Sequence, residues 1–300
     1  METLQKYIMN TQKDIFFPQL YIAADESSNM AQANFLFYYK LSTTCLVFAV
    51  IFSAENAYFK ILPVLSALFF LASLAAYTYA KFQKLQDNWY RSRAIAESIK
   101  TATWRLIMSA QPFNSESEEL NLERFKNLLD EFLTGNKTLG ALLSEKWQSN
   151  NVITERMIEV LRMSFEDKKD TYQKERIDNQ RTWYIKKSGE NRKNSKKFLW
   201  MIILIYSLAI TLLLLRIYEP ELSFLSIDIC AIVASGLIGW TEIKKFDELS
   251  SAYGLTAHEI GIIDSRYKSV NDSDHLSSFV SDAENAFSRE HTQWAARRDH

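Results

Sequence analysis

Residues 198–215 read FLWMIILIYSLAITLLLL, eighteen positions without a charge, and residues 61–80 read ILPVLSALFFLASLAAYTYA, twenty positions without one. A helix rising about 1.5 Å per residue needs about 20 apolar residues to cross ~30 Å of hydrocarbon, so each run has the length of a membrane span. Each also has a neighbour. Phe35–Ser53 precedes the run at 61–80, and Phe224–Trp240 follows a run taken as Phe198–Tyr218. The chain therefore holds four apolar segments in two pairs, 35–80 and 198–240. The connections Ala54–Lys60 and Glu219–Ser223 are short enough to make each pair an antiparallel hairpin.

The chain average points the other way. Hydrophobic residues make up 47% and mean hydropathy is −0.18, values compatible with a soluble helical bundle. That average mixes two unlike materials, because amphipathic core helices would break each run with polar residues at helical spacing. The expected class is all-α: an integral membrane protein with four transmembrane helices and long cytoplasmic helical extensions. Seven Gly and four Pro supply few breaks, which favours long helices.

The second hairpin repeats the first about 164 residues later, with Phe82 falling on Phe246, Leu85 on Leu249 and Trp89 on Tyr253. This spacing divides the chain into two like units, 1–150 and 151–300. Lys and Arg number 35 against 36 Asp and Glu, a net charge of −1, so nothing global favours nucleic acid. Basic residues instead gather at one end of each hairpin: Lys81, Lys84, Arg91 and Arg93, then Lys186 to Lys197, then Lys244 and Lys245. By the positive-inside rule both termini and the central segment face the cytoplasm. The run 186–197 also fits an anionic-lipid surface, but every end on that side is basic, which makes it a topology signal first. The N-terminal stretch lacks the short apolar core and cleavage site of a secretory signal, so it is expected to remain.

Outside the bilayer the pattern predicts a helix continuing unbroken from Val64 to Ala110, about 70 Å long, and ended by Pro112. Phe82, Leu85, Trp89, Ala96, Ile99 and Leu106 mark its packed face. A short helix follows at 118–132, with Leu122, Phe125, Leu129 and Phe132 on one side and Gly135 at its end. A second long polar helix is expected from Val152 to Lys197, another over 244–270, and a last over 276–297 behind Ser273 as N-cap.

Several groups are candidates for function. In the fourth span Asp228, Ala231, Ser235, Gly239 and Glu242 recur every three or four residues, placing two acids and three small residues on one stripe. An intramembrane carboxylate costs ~2.5–3.5 kcal/mol at the bilayer centre and calls for a partner or a wet cavity. The stripe is thus a pore lining or a helix contact, although Asp228 lies near the outer end and the small residues also suit plain packing. Ser42, Thr43, Thr44, Ser66, Ser73 and Thr78 are expected mostly to bond their own backbone. Arg93/Glu97 and Arg176/Gln180 stand four apart beside Trp89, Trp104 and Trp183, as clamps between helices or as ordinary surface pairs. Cys45 and Cys230 both lie in spans, away from any disulfide framework. His258, His275, His291 and His300 lack metal-ligand spacing, and no phosphate loop or nucleophile elbow occurs. The expectation is a protein that is not an enzyme, with no cofactor and no metal.

Three strings carry a resemblance: WYRSRAIAESIKTATWRL before Pro112-Phe113, YQKERIDNQRTWYIKKSGEN, and AENAFSREHTQW. They resemble the SMODS- and SLOG-associating two-transmembrane effector family (SLATT), present here as two tandem copies. Tyr90, Arg93, Glu97, Trp104 and Arg105 carry the likeness after the first hairpin. Tyr172, Arg176, Gln180, Trp183 and Tyr184 carry it before the second, and Glu284, Glu290, His291 and Trp294 in the last helix. In the second copy Arg93 and Glu97 correspond to Ala257 and Gly261, so the copies are not equivalent.

The resemblance implies a membrane effector of bacterial anti-phage defence and abortive infection, seated in the inner membrane. It is expected to form pores as a homo-oligomer in the lipid bilayer when a cyclic-nucleotide-type signal, or a sensor protein encoded nearby, reports infection. The alternative is a non-conducting anchor or scaffold recruiting a cytosolic partner. A transporter would need helix breaks at matching places in both halves, and Pro63 falls on Ile227.

Overall fold

Every described element is helical, as expected of a chain whose backbone groups must find partners within each segment wherever water is absent. The computed structural model describes residues 16–53, 61–135, 152–219 and 227–296, with side chains in the last stretch to residue 288. In order, the helices are α1 (Gln19–Ser53), α2 (Ile61–Phe82), α3 (Leu85–Ile107), α4 (Glu118–Thr134), α5 (Glu155–Leu161) and α6 (Phe165–Thr171). A π-helical segment, Tyr172–Asp178, leads into α7 (Asn179–Tyr218), followed by α8 (Ile227–Lys244), α9 (Phe246–Tyr267) and α10 (Ser273–Ala296). The connection Ala54–Lys60, and residues 220–226 with the start of the fourth apolar segment, lie outside the described residues.

The chain divides into two compact units. A polar unit comprises Met1–Ala33, Leu85–Asn179 and Gly261–His300; an apolar unit comprises Asn34–Lys84 and Gln180–Ile260.

In the polar unit α3 is the central helix, packed by α4, α5 and α10. Ala96, Ile99 and Leu106 are buried as its pattern predicts, and so are Ile95, Ala102, Trp104 and Ile107, because neighbours cover it on more than one side. Phe125 and Leu129 seat α4 in the core, with the Phe113 ring 5.8 Å from Phe125. Ser117 accepts the Leu120 N–H to start α4, and Thr154 and Ser164 start α5 and α6 in the same way. The cap at Ser164 breaks what the sequence reads as one helix over 152–197. The last helix is capped by Asp272, whose carboxylate accepts the His275 N–H, and not by Ser273.

The expected unbroken helix from Val64 to Ala110 is interrupted at Gln83–Lys84, where Lys84 has φ 48°. Lys245, between α8 and α9, has the same φ of 48°. The two breaks stand 161 residues apart, so the backbone sets the repeat three residues shorter than the side-chain pattern does. A shift of three positions along a helix moves a face by only about 60°, so the two registers keep roughly the same side of the helix in line. The α3 helix stops before Pro112: Ser109 is left-handed at φ 53°, and Ala110 N–H reaches back to the Arg105 carbonyl at 2.8 Å.

The apolar unit is inside out by the standards of a protein in water. None of the most apolar 18-residue window in the α6–α7 run is buried, and Leu199, Trp200, Leu204, Ile210 and Leu214 all stand exposed. A continuous surface of this kind marks contact with lipid or another protein. Among the described residues three helical stretches can cross a membrane by length and composition: α1, the α2–α3 run and the α6–α7 run. The α8 helix falls outside that group because its 18 described residues carry Asp228, Glu242 and Lys244.

Between α1 and α2 the seam is small and polar. Ala49, Cys45, Ser66, Ser73 and Ala76 are buried along it. Ser66 donates to the Ala49 carbonyl at 2.8 Å, Ser73 donates to the Ser42 carbonyl at 3.0 Å, and the Ser42 and Ser73 hydroxyls lie 3.0 Å apart. These three serines bridge two helices, contrary to the expectation that they bond their own backbone; Thr43 and Thr78 do bond their own. In lipid each such bond contributes about 0.6 kcal/mol.

A left-handed lysine carries a steric cost that glycine avoids. Lys84→Gly is expected to stabilise the detergent-solubilised protein by about 1 kcal/mol, and Lys84→Val to destabilise it. Thermal melting of the two variants checks this, and equal midpoints would contradict it.

Candidate functional site

The most heavily desolvated charges lie where the π-helical segment meets α10. Arg176 and Glu284 are both buried, at 2% and 0% exposure. The guanidinium makes two parallel bonds, Nε to Glu284 Oε1 at 2.7 Å and Nη2 to Oε2 at 2.6 Å. Tyr172, fully buried one turn earlier, donates its hydroxyl to the same Oε1 at 3.0 Å. Phe287 closes the other side, its ring centre 4.9 Å from the Arg176 guanidinium carbon. The Trp104 ring stands edge-on to Tyr172 at 5.6 Å, and the Tyr267 ring lies 5.8 Å away.

The protonation states follow from the surroundings. Burial alone would lower the pKa of Arg176, but the Glu284 carboxylate more than offsets it and holds the guanidinium charged. Burial and then the Glu284 charge push the Tyr172 phenol well above its ordinary value, which keeps it a hydrogen-bond donor. The sequence spacing sets Arg176 beside Gln180; the structure gives the guanidinium a carboxylate 108 residues away, a partner spacing does not reveal. A charge-assisted fork of this kind is roughly twice as strong as a neutral bond.

Arg93 and Glu97 do pair four apart, at 2.7 Å, and the chain of charges extends to Asp25 at 3.4 Å and from Glu97 to Lys100 at 3.7 Å. Arg93 is partly exposed, so these contacts contribute at the level of a surface network, about 0.2–1 kcal/mol each. Asp25, on α1, was not legible as a member from spacing. Burial first, then Asp25 and Glu97, raises the pKa of the Tyr21 phenol. Arg105 donates to Asn285 Oδ1 at 2.7 Å, while its buried Nε has no partner among the described residues. Tyr90 stacks on Trp89 at 4.6 Å. Within the apolar unit Trp183 and Tyr184 each meet Tyr253 at 5.5 Å. Glu290, His291 and Trp294 lie in α10 beyond its described side chains.

The α8 stripe divides. Asp228, Ala231, Ser235 and Glu242 are exposed, whereas the opposite side buries Cys230 and Ala234. Gly239 belongs with Gly236 on a different contact. A Cβ on Gly236 would sit 2.6 Å from Thr43 Cγ2, and one on Gly239 would collide with the Tyr39 hydroxyl. These two glycines let α8 approach α1 closely, a role the every-third-or-fourth pattern does not separate from the stripe. Among the described residues no group of His, Cys, Asp and Glu side chains converges as a metal site.

Residues 18–169 match the family model described as SMODS and SLOG-associating 2TM effector domain 3, and residues 172–294 match SMODS and SLOG-associating 2TM effector domain 1. The Asp25–Arg93–Glu97 network falls in the first matched segment and the Tyr172–Arg176–Glu284 cluster in the second. No curated protein and no solved structure matches the chain.

Removing one partner of a buried pair strands the other charge. Arg176→Ala or Glu284→Ala is expected to cost about 3–5 kcal/mol, and the combined change Arg176→Met, Glu284→Leu and Tyr172→Phe, which leaves no buried polar group stranded, to recover most of it. Thermal melting in detergent measures both, and a loss below ~0.5 kcal/mol for the single variants would show that the pair is not structural.

Proposed function

The chain belongs to the SMODS- and SLOG-associating two-transmembrane effector family, and from that premise we propose that it is a pore-forming effector of a bacterial, nucleotide-signalled anti-phage defence. Two tandem two-transmembrane domains give four spans: α1 from residue 35 onward, α2, the C-terminal half of α7, and the fourth apolar segment, carried by α8. The seat is the inner membrane with both termini in the cytoplasm, supported by the basic residues at the shared end of both hairpins.

One copy cannot enclose a water-filled path, because four helices fill their own centre with side chains. The leak pathway therefore forms between copies. The observation that carries this reading is the placement of Asp228, Ala231, Ser235 and Glu242, exposed on α8 opposite Cys230 and Ala234, which are buried within the chain. A carboxylate facing away from its own chain within a bilayer needs water or a partner, and a ring of such stripes supplies both. The trigger, a cyclic-nucleotide-type signal or a neighbouring sensor protein, must bind the leaking form better than the closed one to shift the population. The α7 helix, continuous from the end of the π-helical segment to the end of the third span, is the covalent route for that shift. The protein acts by moving helices, without a reaction, cofactor or metal of its own.

Cells making the protein together with its trigger are expected to depolarise, read with a potential-sensitive dye. Asp228→Leu and Ser235→Leu should abolish most of the leak while leaving membrane insertion intact, since neither side chain packs inside the chain. Gly239→Leu should lower thermal stability as well, because it drives a side chain into Tyr39. Leakage unchanged in Asp228→Leu and Ser235→Leu would remove the stripe from the mechanism, and full insertion without depolarisation under phage challenge would favour the scaffold.

A further inference from the structure

Within the apolar unit, α1, α7 and α8 leave a groove of about 350 Å³ lined by Tyr39, Thr43, Val47, Phe198, Leu237 and Trp240, with Lys40 at its edge. That volume lies in the range of small-ligand pockets, ~300–1,000 Å³. Lys40 is the one basic residue inside the first apolar segment, five residues from Phe35, and its exposed ammonium sits 4.8 Å from the centre of the Trp240 ring. Lys244, one turn along α8, brings a second ammonium 5.9 Å from the same ring. Neither lysine has an acidic partner among the described residues. An unneutralised cation pair beside an indole, opening onto an apolar trough, is complementary to a ligand with an anionic head and a hydrocarbon tail.

We propose that this groove holds an anionic phospholipid of the cytoplasmic leaflet, with its phosphate between Lys40 and Lys244 and the start of one acyl chain along Val47, Leu237 and Phe198. The placement rests on the membrane orientation proposed above, which sets Trp240 and Phe198 at the cytoplasmic ends of their spans. The Gly236 and Gly239 contacts hold α1 and α8 close along one edge of the groove, so the bound lipid packs against the same helix pair that carries the exposed stripe on its other side.

Native mass spectrometry of the full chain in detergent, titrated with phosphatidylglycerol or phosphatidylcholine, tests this. Phosphatidylglycerol is expected to remain bound at concentrations where phosphatidylcholine does not, and the double variant K40Q/K244Q to lose about thirtyfold in its affinity. K126Q/K268Q, which removes two exposed lysines of the polar unit, should keep the wild-type preference. Thr44→Trp, filling the groove from an exposed wall while leaving both lysines, should also release the lipid. Equal retention of both lipids, an unchanged K40Q/K244Q, or displacement of phosphatidylglycerol by millimolar inorganic phosphate would overturn the proposal. Carbonate extraction of the same membranes separates the two ideas: an inserted protein without the lipid preference sinks only the lipid site, and an extractable one sinks the membrane reading.

Discussion

A guanidinium and a carboxylate, both out of water, hold the polar unit to one arrangement. Arg176 and Glu284 lie 108 residues apart in the chain and meet through two charge-assisted bonds, with Tyr172 donating a third to the same carboxylate. Such a pair adds little net stability over a well-packed apolar substitute, but losing either half is costly, so its contribution is chiefly to exclude alternatives. The π-helical segment Tyr172–Asp178 cannot drift from α10 without stranding a charge. That segment runs directly into α7, whose C-terminal half is the most apolar helical stretch among the described residues.

The apolar unit obeys a different constraint. In hydrocarbon no hydrophobic force draws helices together, so association relies on close approach and on hydrogen bonds between helices. The chain uses both: Ser42, Ser66 and Ser73 bond across the α1–α2 seam, and Gly236 and Gly239 let α8 meet Thr43 and Tyr39. The large side chains of α2 and α7 then point away from the chain. In the proposed reading they meet lipid or another copy.

The helical class was legible because uncharged runs of eighteen and twenty residues admit few other readings, and composition showed that breaks would be few. The site was legible in part. Arg93 with Glu97 could be read from spacing, since both sit on one helix. Arg176 with Glu284 could not, because a contact across 108 residues leaves no local period. The break at Lys84 was hidden for a related reason: a left-handed lysine has no signature of its own, and the apolar pattern continues across it. The serine bridges were misread because a hydroxyl in a helix can bond its own carbonyl or a neighbour's, and only the geometry of the seam decides. Gly239 was grouped with the acids by its spacing, whereas its lack of a side chain serves the α1 contact.

Disulfide crosslinking in native membranes tests the central claim, that copies of this chain meet along the outer stripe of α8. In a background with Cys45 and Cys230 replaced, single cysteines at Asp228, Ala231 and Ser235 should form crosslinks between copies on mild oxidation. A cysteine at Ala234, buried within its own chain at 2% exposure, should not. Crosslinks confined to the three outer positions are the result the account predicts. Crosslinking at Ala234 as efficient as at Ser235, or at none of the four, would contradict it.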